Sequence, residues 1–414
     1  MAVTEAQARR AARRADVPWN EQVKDPRAEW NQRHDHRGLL SVLVAAFSCG
    51  RIHLRKVEDF SADLPAGTRR KLGLKTSASD STFYRLLSEH EATGFRETVQ
   101  AQVRALIDGK VIENDLFPLG VLSYDGKQVW SSSTGFVEGA RTRVDEKSGV
   151  LTASLFSMRA VLTSSKVRPC LDLELIGDKE GESPALRVSF PRVCEKFGGQ
   201  FQIVTGDAGL CCRESALLVH GHGKFFCWGL KGNQPKLHAL AEEMFNANPG
   251  ALKTRSEEVR NGSVIIRELH TLTVNDVAEV DMTGAQQLWR VRQQTFTGET
   301  LVIEEVRYFI SSIPPRLLTP TQQLALVRLH WGIENGHNWT MDVALTEDDV
   351  QPCQQSSGAI EVVAWLRVLG YNLLAAWRAR ADKKDQLPMP WARCMELLRD
   401  AFVFGAKVPT VTLA

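Results

Sequence analysis

Apolar and polar positions alternate with different periods in successive parts of the chain. Through residues 1–115 the period is helical: HRGLLSVLVAAFSCG is apolar on all sides, as a buried helix requires. DSTFYRLLSEHEATGFRETVQAQVRALI repeats apolar residues every three or four positions after a capping signal at Asp80-Ser81. From residue 116 the pattern becomes short apolar runs bounded by turn residues. LGVLSYD (119–125), LTASLFSMRAVLT (151–163) and CLDLELIG (170–177) predict three successive strands. FQIVTGD (201–207) and KFFCWGL (224–230) predict two more, with short helices around 190–197 and near 213–220. Three strands followed by alternating strands and helices imply a mixed sheet covered by helices.

Residues 253–312 change character again. TRSEEVRNGSVIIREL is two runs around Asn261-Gly262, a strong hairpin signal, and QLWRVRQQTFTGETLVIEEVRYFISS repeats the arrangement around Thr297-Gly298. A helix then begins with Thr319 as cap, Pro320 in the first turn and Gln322 completing a capping box. It carries Leu324, Val327 and Trp331 on one face and is expected to run to about residue 340. Two last helices, 359–380 and 391–402, flank the polar linker DKKDQLPMP. The expected organisation is a helical block over 1–115, an α/β domain over 116–380 with a β-rich insertion at about 241–312, and a helical tail over 381–414.

Composition changes this picture little. At 414 residues the chain exceeds the usual size of one core, and 43% hydrophobic with 24% charged residues is ordinary for a folded protein. No run approaches the roughly 18 consecutive apolar residues of a membrane span. MAVTEAQARRAARR lacks the apolar core of a secretory signal, so a cytoplasmic location is expected. The eight cysteines are scattered without paired spacing, which reads as reduced thiols. Net charge is +2, but residues 1–75 hold fifteen Lys/Arg against nine Asp/Glu, including Arg9, Arg10, Arg13, Arg14 and Arg69-Arg70-Lys71. That end suits either a polyanion or a solvated helix surface.

The densest candidate chemistry lies in HWGIENGHNWTMDVALTEDD, residues 330–349. His330, Glu334, His337, Asp342, Glu347, Asp348 and Asp349 fall there with no Lys or Arg among them, so the cluster calls for an external cation. Asp125 is expected at the end of the first strand and Asp207 at the end of the fourth. Carboxylates at strand ends project from one sheet edge, where α/β folds bind ligands. If the 319–340 helix crosses that edge, Glu334 faces both. Three such carboxylates suit two divalent cations about 3.5–4 Å apart, as used for phosphoryl displacement, and oxygen ligands favour Mg²⁺ or Mn²⁺. Spacing alone leaves the competing reading open, in which the two Asp residues merely form turns.

The order of motifs adds to this reading. Asp125-Gly126-Lys127, Gly206-Asp207-Ala208, Lys231-Gly232-Asn233-Gln234 and Arg328-Leu329-His330-Trp331-Gly332-Ile333-Glu334-Asn335 follow one another, trailed by a Trp339 to Asp348 segment. This order resembles the DDE transposases of bacterial insertion sequences, in particular the H-repeat-associated type. The resemblance implies an RNase H-like catalytic core interrupted by a β-rich insertion, with an N-terminal helical DNA-binding domain. Its spacing agrees: 82 residues separate Asp125 from Asp207, and 127 separate Asp207 from Glu334.

It further implies Mg²⁺-dependent cleavage of element ends and strand transfer into target DNA, by a homodimer associated with the nucleoid. Asp125, Asp207 and Glu334 would be the metal ligands. Lys127, Lys231, Arg328, His330 and Asn335 would contact DNA or orient Glu334, with Trp331 and Trp339 as candidates for stacking on an unpaired base. For Trp331 core packing is the favoured reading. The chain departs from the family at Gln128-Val129-Trp130, at Gly209-Leu210-Cys211-Cys212, at Gly336, and in the arginine-free segment DDVQPCQQSS. A decayed or repurposed DNA-binding descendant is therefore the alternative function.

Overall fold

The computed structural model describes residues 17–404 apart from 147–148, 275–278, 355 and 382–388. Arg9, Arg10, Arg13, Arg14 and most of the DKKDQLPMP linker lie outside the described residues. Helices dominate the first part: α1 (His36–Ser48), α2 (Leu54–Asp63), α3 (Ala66–Lys71), α4 (Asp80–Glu89) and α5 (Phe95–Asp108). Asp35 starts α1 by accepting from the Gly38 N–H at 2.7 Å. The cap of α4 is Ser79, one residue before the expected signal, which leaves Asp80 in the first turn where the helix dipole favours an acid.

One ten-stranded sheet runs through the molecule. Its strands are β1 (Val121–Ser132), β2 (Arg141–Val144), β3 (Leu151–Leu162), β4 (Cys170–Ile176), β5 (Ile203–Gly206), β6 (Phe225–Leu230), β7 (Leu252–Arg260), β8 (Ser263–Thr273), β9 (Gln287–Thr297) and β10 (Thr300–Ser311). Their order is β2-β3-β1-β5-β6-β10-β9-β8-β7, with β4 also paired to β3. β1 runs antiparallel to β3 and parallel to β5, which is parallel to β6.

Several expectations are corrected here. Asp125 lies inside β1, because β3 pairs past the Asp-Gly-Lys turn signal as far as Ser132, with a bulge between Gln128 and Trp130. The short strand β2 was not foreseen, and the helix expected around 190–197 starts at Glu182 as α6 (Glu182–Phe197). The hairpins extend the same sheet, since β10 pairs antiparallel with β6. The range given to the insertion begins in a helix, α8 (Pro235–Ala247), which follows α7 (Arg213–Gly221). Asn261 and Gly262 turn the first hairpin with φ of +49° and +77°, as a tight two-residue loop demands.

The two faces of the sheet are covered differently, and residue parity decides which side chain goes where. Val121, Ile203 and Cys227 pack with Leu324, Leu326 and Val327 of α9 (Pro320–Gly332). Leu122, Tyr124, Val204, Phe226 and Trp228 join the larger core on the opposite face, where α6 contributes Leu186 and Phe190. Thr319 and Gln322 form the expected capping box of α9. Beyond Gly332 the helix widens into a π-helical turn, Ile333–Asn338, before α10 (Trp339–Val343). The uninterrupted α-helix expected to residue 340 is thus broken at Glu334.

The C-terminal helices α11 (Ser357–Ala381) and α12 (Trp391–Val403) return to the N-terminal block. By length and composition α11 could cross a membrane, but its most apolar window is 89% buried within the protein. It packs against α1 and α5, while Phe402 of α12 meets Phe60 of α2 edge-to-face at 5.9 Å. One continuous apolar cluster holds residues from α1, α2, α4, α5, the sheet, α11 and α12.

Candidate active site

Two rungs join β1 to the helix that carries Glu334. Asp125 and Lys127 are two apart on a strand, hence on one face about 6.6 Å apart. Asn338 and Asp342 are four apart along the helix, about 6 Å. The repeats nearly match, and both rungs form. Asn338 Nδ2 donates to Asp125 Oδ2 at 2.7 Å, and Lys127 Nζ donates to Asp342. Asn338, one helical turn after Glu334, escaped sequence reading although its spacing placed it on the same side.

Asp207 directly follows β5, and its carboxylate accepts from the Gly209 N–H at 2.8 Å. The loop that carries it is fastened from the β6 side. Asn233 Nδ2 donates to the Ala208 carbonyl at 2.5 Å and Gln234 Nε2 to the Cys211 carbonyl at 2.8 Å. The Lys231–Gln234 motif thus holds this loop through its two amides, while its lysine stands exposed.

Carboxylates crowd this edge of the sheet. Burial, then the neighbouring Glu334 and Asp207, push the Asp125 carboxyl up to about 7. A fourth acid was missed by sequence reading: Glu182, the first residue of α6. Burial, then Asp207 and Asp125, push it up to about 8. No local pattern in ESPALRV marks Glu182. Only the fold brings it to Asp207, 25 residues later.

The acidic stretch after Glu334 finds its counter-ions on other elements, which corrects the expectation of an external cation for that cluster. Arg159, the cross-strand partner of Asp125 on β3, is fully buried and holds both oxygens of buried Glu347 at 2.7 and 2.8 Å. Burial alone would raise Glu347, but Arg159, Arg367 and Lys127 keep it below the usual range. Lys127 also lies 3.5 Å from Asp348 and 3.9 Å from Glu347. Only 7% exposed, Lys127 is engaged in this network and offers no free cation to DNA.

The two histidines are interior groups. His330 hydrogen-bonds through Nδ1 with Thr205 on β5 at 3.1 Å, and Thr205 continues to Ser123 on β1 at 2.7 Å. Burial lowers His330 to about 4, so its ring is neutral at pH 7. His337 is fully buried against Tyr371 at 4.4 Å and is likewise pushed well below its ordinary value, by burial and then Arg159. Both rings point inward from the helical segment that carries Glu334, His330 onto Thr205 of β5 and His337 onto Tyr371.

Of the remaining sequence candidates, Arg328, Asn335 and Trp339 are exposed and Trp331 is half-buried. Arg328 is exposed and pairs with Glu258 of β7 at 2.8 Å. Trp331 packs beside the α9-side core, with the Arg307 guanidinium 4.6 Å above its ring. Asn335 and Trp339 are exposed and line a separate cavity of about 250 Å³ with Arg168, Arg378 and Trp391. Gly332 and Gly336 admit the Arg168 side chain: a Cβ on Gly336 would stand 2.5 Å from Arg168 Nη1. That contact accounts for two glycines in a helix they would otherwise weaken.

Among the described residues, no group of three His, Cys, Asp or Glu side chains is drawn together tightly enough to be a ready-made metal site. The chemistry of the donors nevertheless fits a hard divalent cation. Asp125, Glu182, Asp207 and Glu334 offer oxygen only, and their neighbouring bases Lys127 and Arg159 are committed to Asp342 and Glu347.

The chain is similar to several known proteins. Residues 21–102 match the family described as DDE_Tnp_1-associated. "Putative transposase YncI" of Escherichia coli O157:H7 is 21% identical over 371 residues, 85% of each chain. "H repeat-associated putative transposase YhhI" of Escherichia coli strain K12 is 29% identical over 200 residues, 45% of this chain. The chain is thus similar, over part or most of its length, to proteins named as putative transposases. "Putative protein YbfL" of the same K12 strain matches to the same extent, and the chain spans about half the length of YbfL and YhhI. Among solved structures, the "Cryo-EM structure of piggyBac transposase synaptic complex with hairpin DNA (SNHP)" aligns over 97% of this chain and 82% of that chain. Its TM-score of 0.46 at 10% identity is too slight to carry functional weight.

Proposed function

We propose that this chain is a transposase that cuts DNA at the ends of an insertion element and transfers the freed strand into target DNA. What supports the reading is the placement of Asp125 on β1, Asp207 after β5 and Glu334 on the π-helical turn at one edge of the sheet, near enough for the charges of Glu334 and Asp207 to raise Asp125. The order β4-β3-β1-β5-β6, with its first three strands antiparallel and the last two parallel to β1, supports an RNase H-like core. β7–β10 would be the insertion between Asp207 and Glu334.

Asp125, Asp207 and Glu334 would hold two Mg²⁺ or Mn²⁺ ions, which when bound activate the attacking hydroxyl and stabilise the leaving oxygen of a phosphodiester. The protein's own part is positioning. Asn338 fixes the Asp125 carboxylate, the Asn233 and Gln234 amides fix the Asp207 loop, and neutral His330 ties α9 to β5 through Thr205. Exposed Lys231, Arg328 and Asn335 and the basic helical block would bind backbone phosphate as point charges or donors. Double-stranded DNA is the partner, as terminal repeats and target, in the nucleoid of the cytoplasm. Joining two ends in one complex calls for a homodimer.

A second reading, a catalytically silent DNA-binding descendant, is favoured by one observation: Lys127 and His330 are both buried, so two presumed DNA contacts are missing. Cleavage of duplex DNA carrying the repeats that flank the gene separates the two. With Mg²⁺ the wild type should nick such DNA, and Glu334→Gln should bind it equally but leave it uncut. Binding without cutting in both proteins would sink the enzyme reading in favour of the silent one.

A further inference from the structure

Resting on that reading, we propose that Glu182 is a fourth carboxylate ligand of the divalent-cation centre, reaching it from the opposite face of the sheet. α6 packs on the core face opposite α9, through Leu186 and Phe190, so its first residue would ordinarily end in solvent. Here the carboxylate lies against Gly126 of β1 and against Gly209 of the Asp207 loop, beside the Asp207 carboxylate, near enough to Asp207 and Asp125 for both to raise it.

Two glycines open this route. Gly126 lies next to Asp125, on the parity that faces α6, and Gly209 lies two residues after Asp207. A Cβ on either would collide with the Glu182 carboxylate. Neither glycine has the positive φ that would demand glycine for its backbone. Their missing side chains therefore serve the space that Glu182 fills.

A structural role for Glu182 does not account for the arrangement. Gly181 is the N-cap of α6 and makes no side-chain capping bond, and Glu182 forms no ion pair among the described residues. An acid at a helix start gains from the dipole while pointing to water. Placing it against two further carboxylates costs energy above neutral pH unless a cation joins them, because below that a shared proton relieves the crowding. An independent observation points to such a cation. Asn338, only 8% exposed and bonded through Nδ2 to Asp125, has a buried Oδ1 with no donor. A buried acceptor of this kind beside carboxylates calls for a donor or a cation, and a divalent ion held by the carboxylates would supply the latter.

The test is Mn²⁺ binding to the full chain without DNA, read as loss of the free-ion signal by electron paramagnetic resonance. Wild type, Glu182→Gln, Glu182→Asp, Asp207→Asn and the exposed neighbour Glu180→Gln are compared, with circular dichroism to confirm folding. The expected result is at least about tenfold weaker Mn²⁺ binding in Glu182→Gln, an intermediate loss in Glu182→Asp, and wild-type binding in Glu180→Gln. Wild-type affinity in Glu182→Gln alongside a loss in Asp207→Asn overturns the role of Glu182 and leaves the three-carboxylate centre standing. Absence of binding by the wild type overturns the cation centre itself, and Glu182 with it.

Discussion

Asp125 is held against its own chemistry. An aspartate whose carboxyl rises from 3.8 to about 7 on folding holds its proton more firmly in the native state than in the unfolded one. Native stability therefore declines as pH climbs through that interval, and the penalty is fully present above it. Asp125→Asn removes the charge and keeps the Asn338 contact within reach. Without divalent cations the variant should gain on the order of 1–2 kcal/mol at pH 8 and little at pH 4, measured by guanidinium unfolding in a chelating buffer. A variant destabilised at pH 8 would contradict the crowding. At this scale the sequence was partly readable. Asp125, Asp207 and Glu334 stood out because strand and helix periods put them at one edge. Glu182 did not, because its neighbours are decided by two distant glycines that look like ordinary turn residues.

The element that carries Glu334 is fixed by charges borrowed from elsewhere. Lys127 on β1, Arg159 on β3 and Arg367 on α11 surround Glu347, which no intrahelical spacing could have shown. Reading the segment alone suggested an acidic cluster in need of a cation, when its balance is tertiary. Breaking a buried pair from one side leaves an uncompensated charge, so Glu347→Gln should cost about 3–5 kcal/mol in the same unfolding measurement. A loss below about 1 kcal/mol would mean that the network is decorative. The π-helical turn was equally hidden. Gly332 and Gly336 signalled a weak helix, but the side chain that exploits them, Arg168, comes from the β3–β4 connection. What the sequence did convey at this scale was the strand set and both hairpins, where alternation and Asn-Gly act locally.

Across the whole molecule, the segments delimited by periodicity pack on one another. α1 and α5 pack on α11, Phe60 meets Phe402, and β10 continues the sheet from β6. Local periodicity finds elements but cannot show which buried faces share a core. A fragment beginning at residue 116 would uncover the α1 and α5 contacts of α11, whose most apolar window is 89% buried. It should form soluble aggregates by light scattering at concentrations where the full chain does not; a monodisperse fragment with an intact melting transition would contradict a shared core.

The central claim, that Asp125, Asp207 and Glu334 form one cation-dependent centre for cutting DNA, is tested most directly at Asp207. Strand cleavage of DNA bearing the element's ends is measured for wild type and Asp207→Asn, with and without Mg²⁺, while gel shift follows binding. Both proteins should bind, and only the wild type with Mg²⁺ should cut, at least about a hundredfold faster than the variant. Cutting by Asp207→Asn at the wild-type rate, or by the wild type in a chelating buffer, would contradict it.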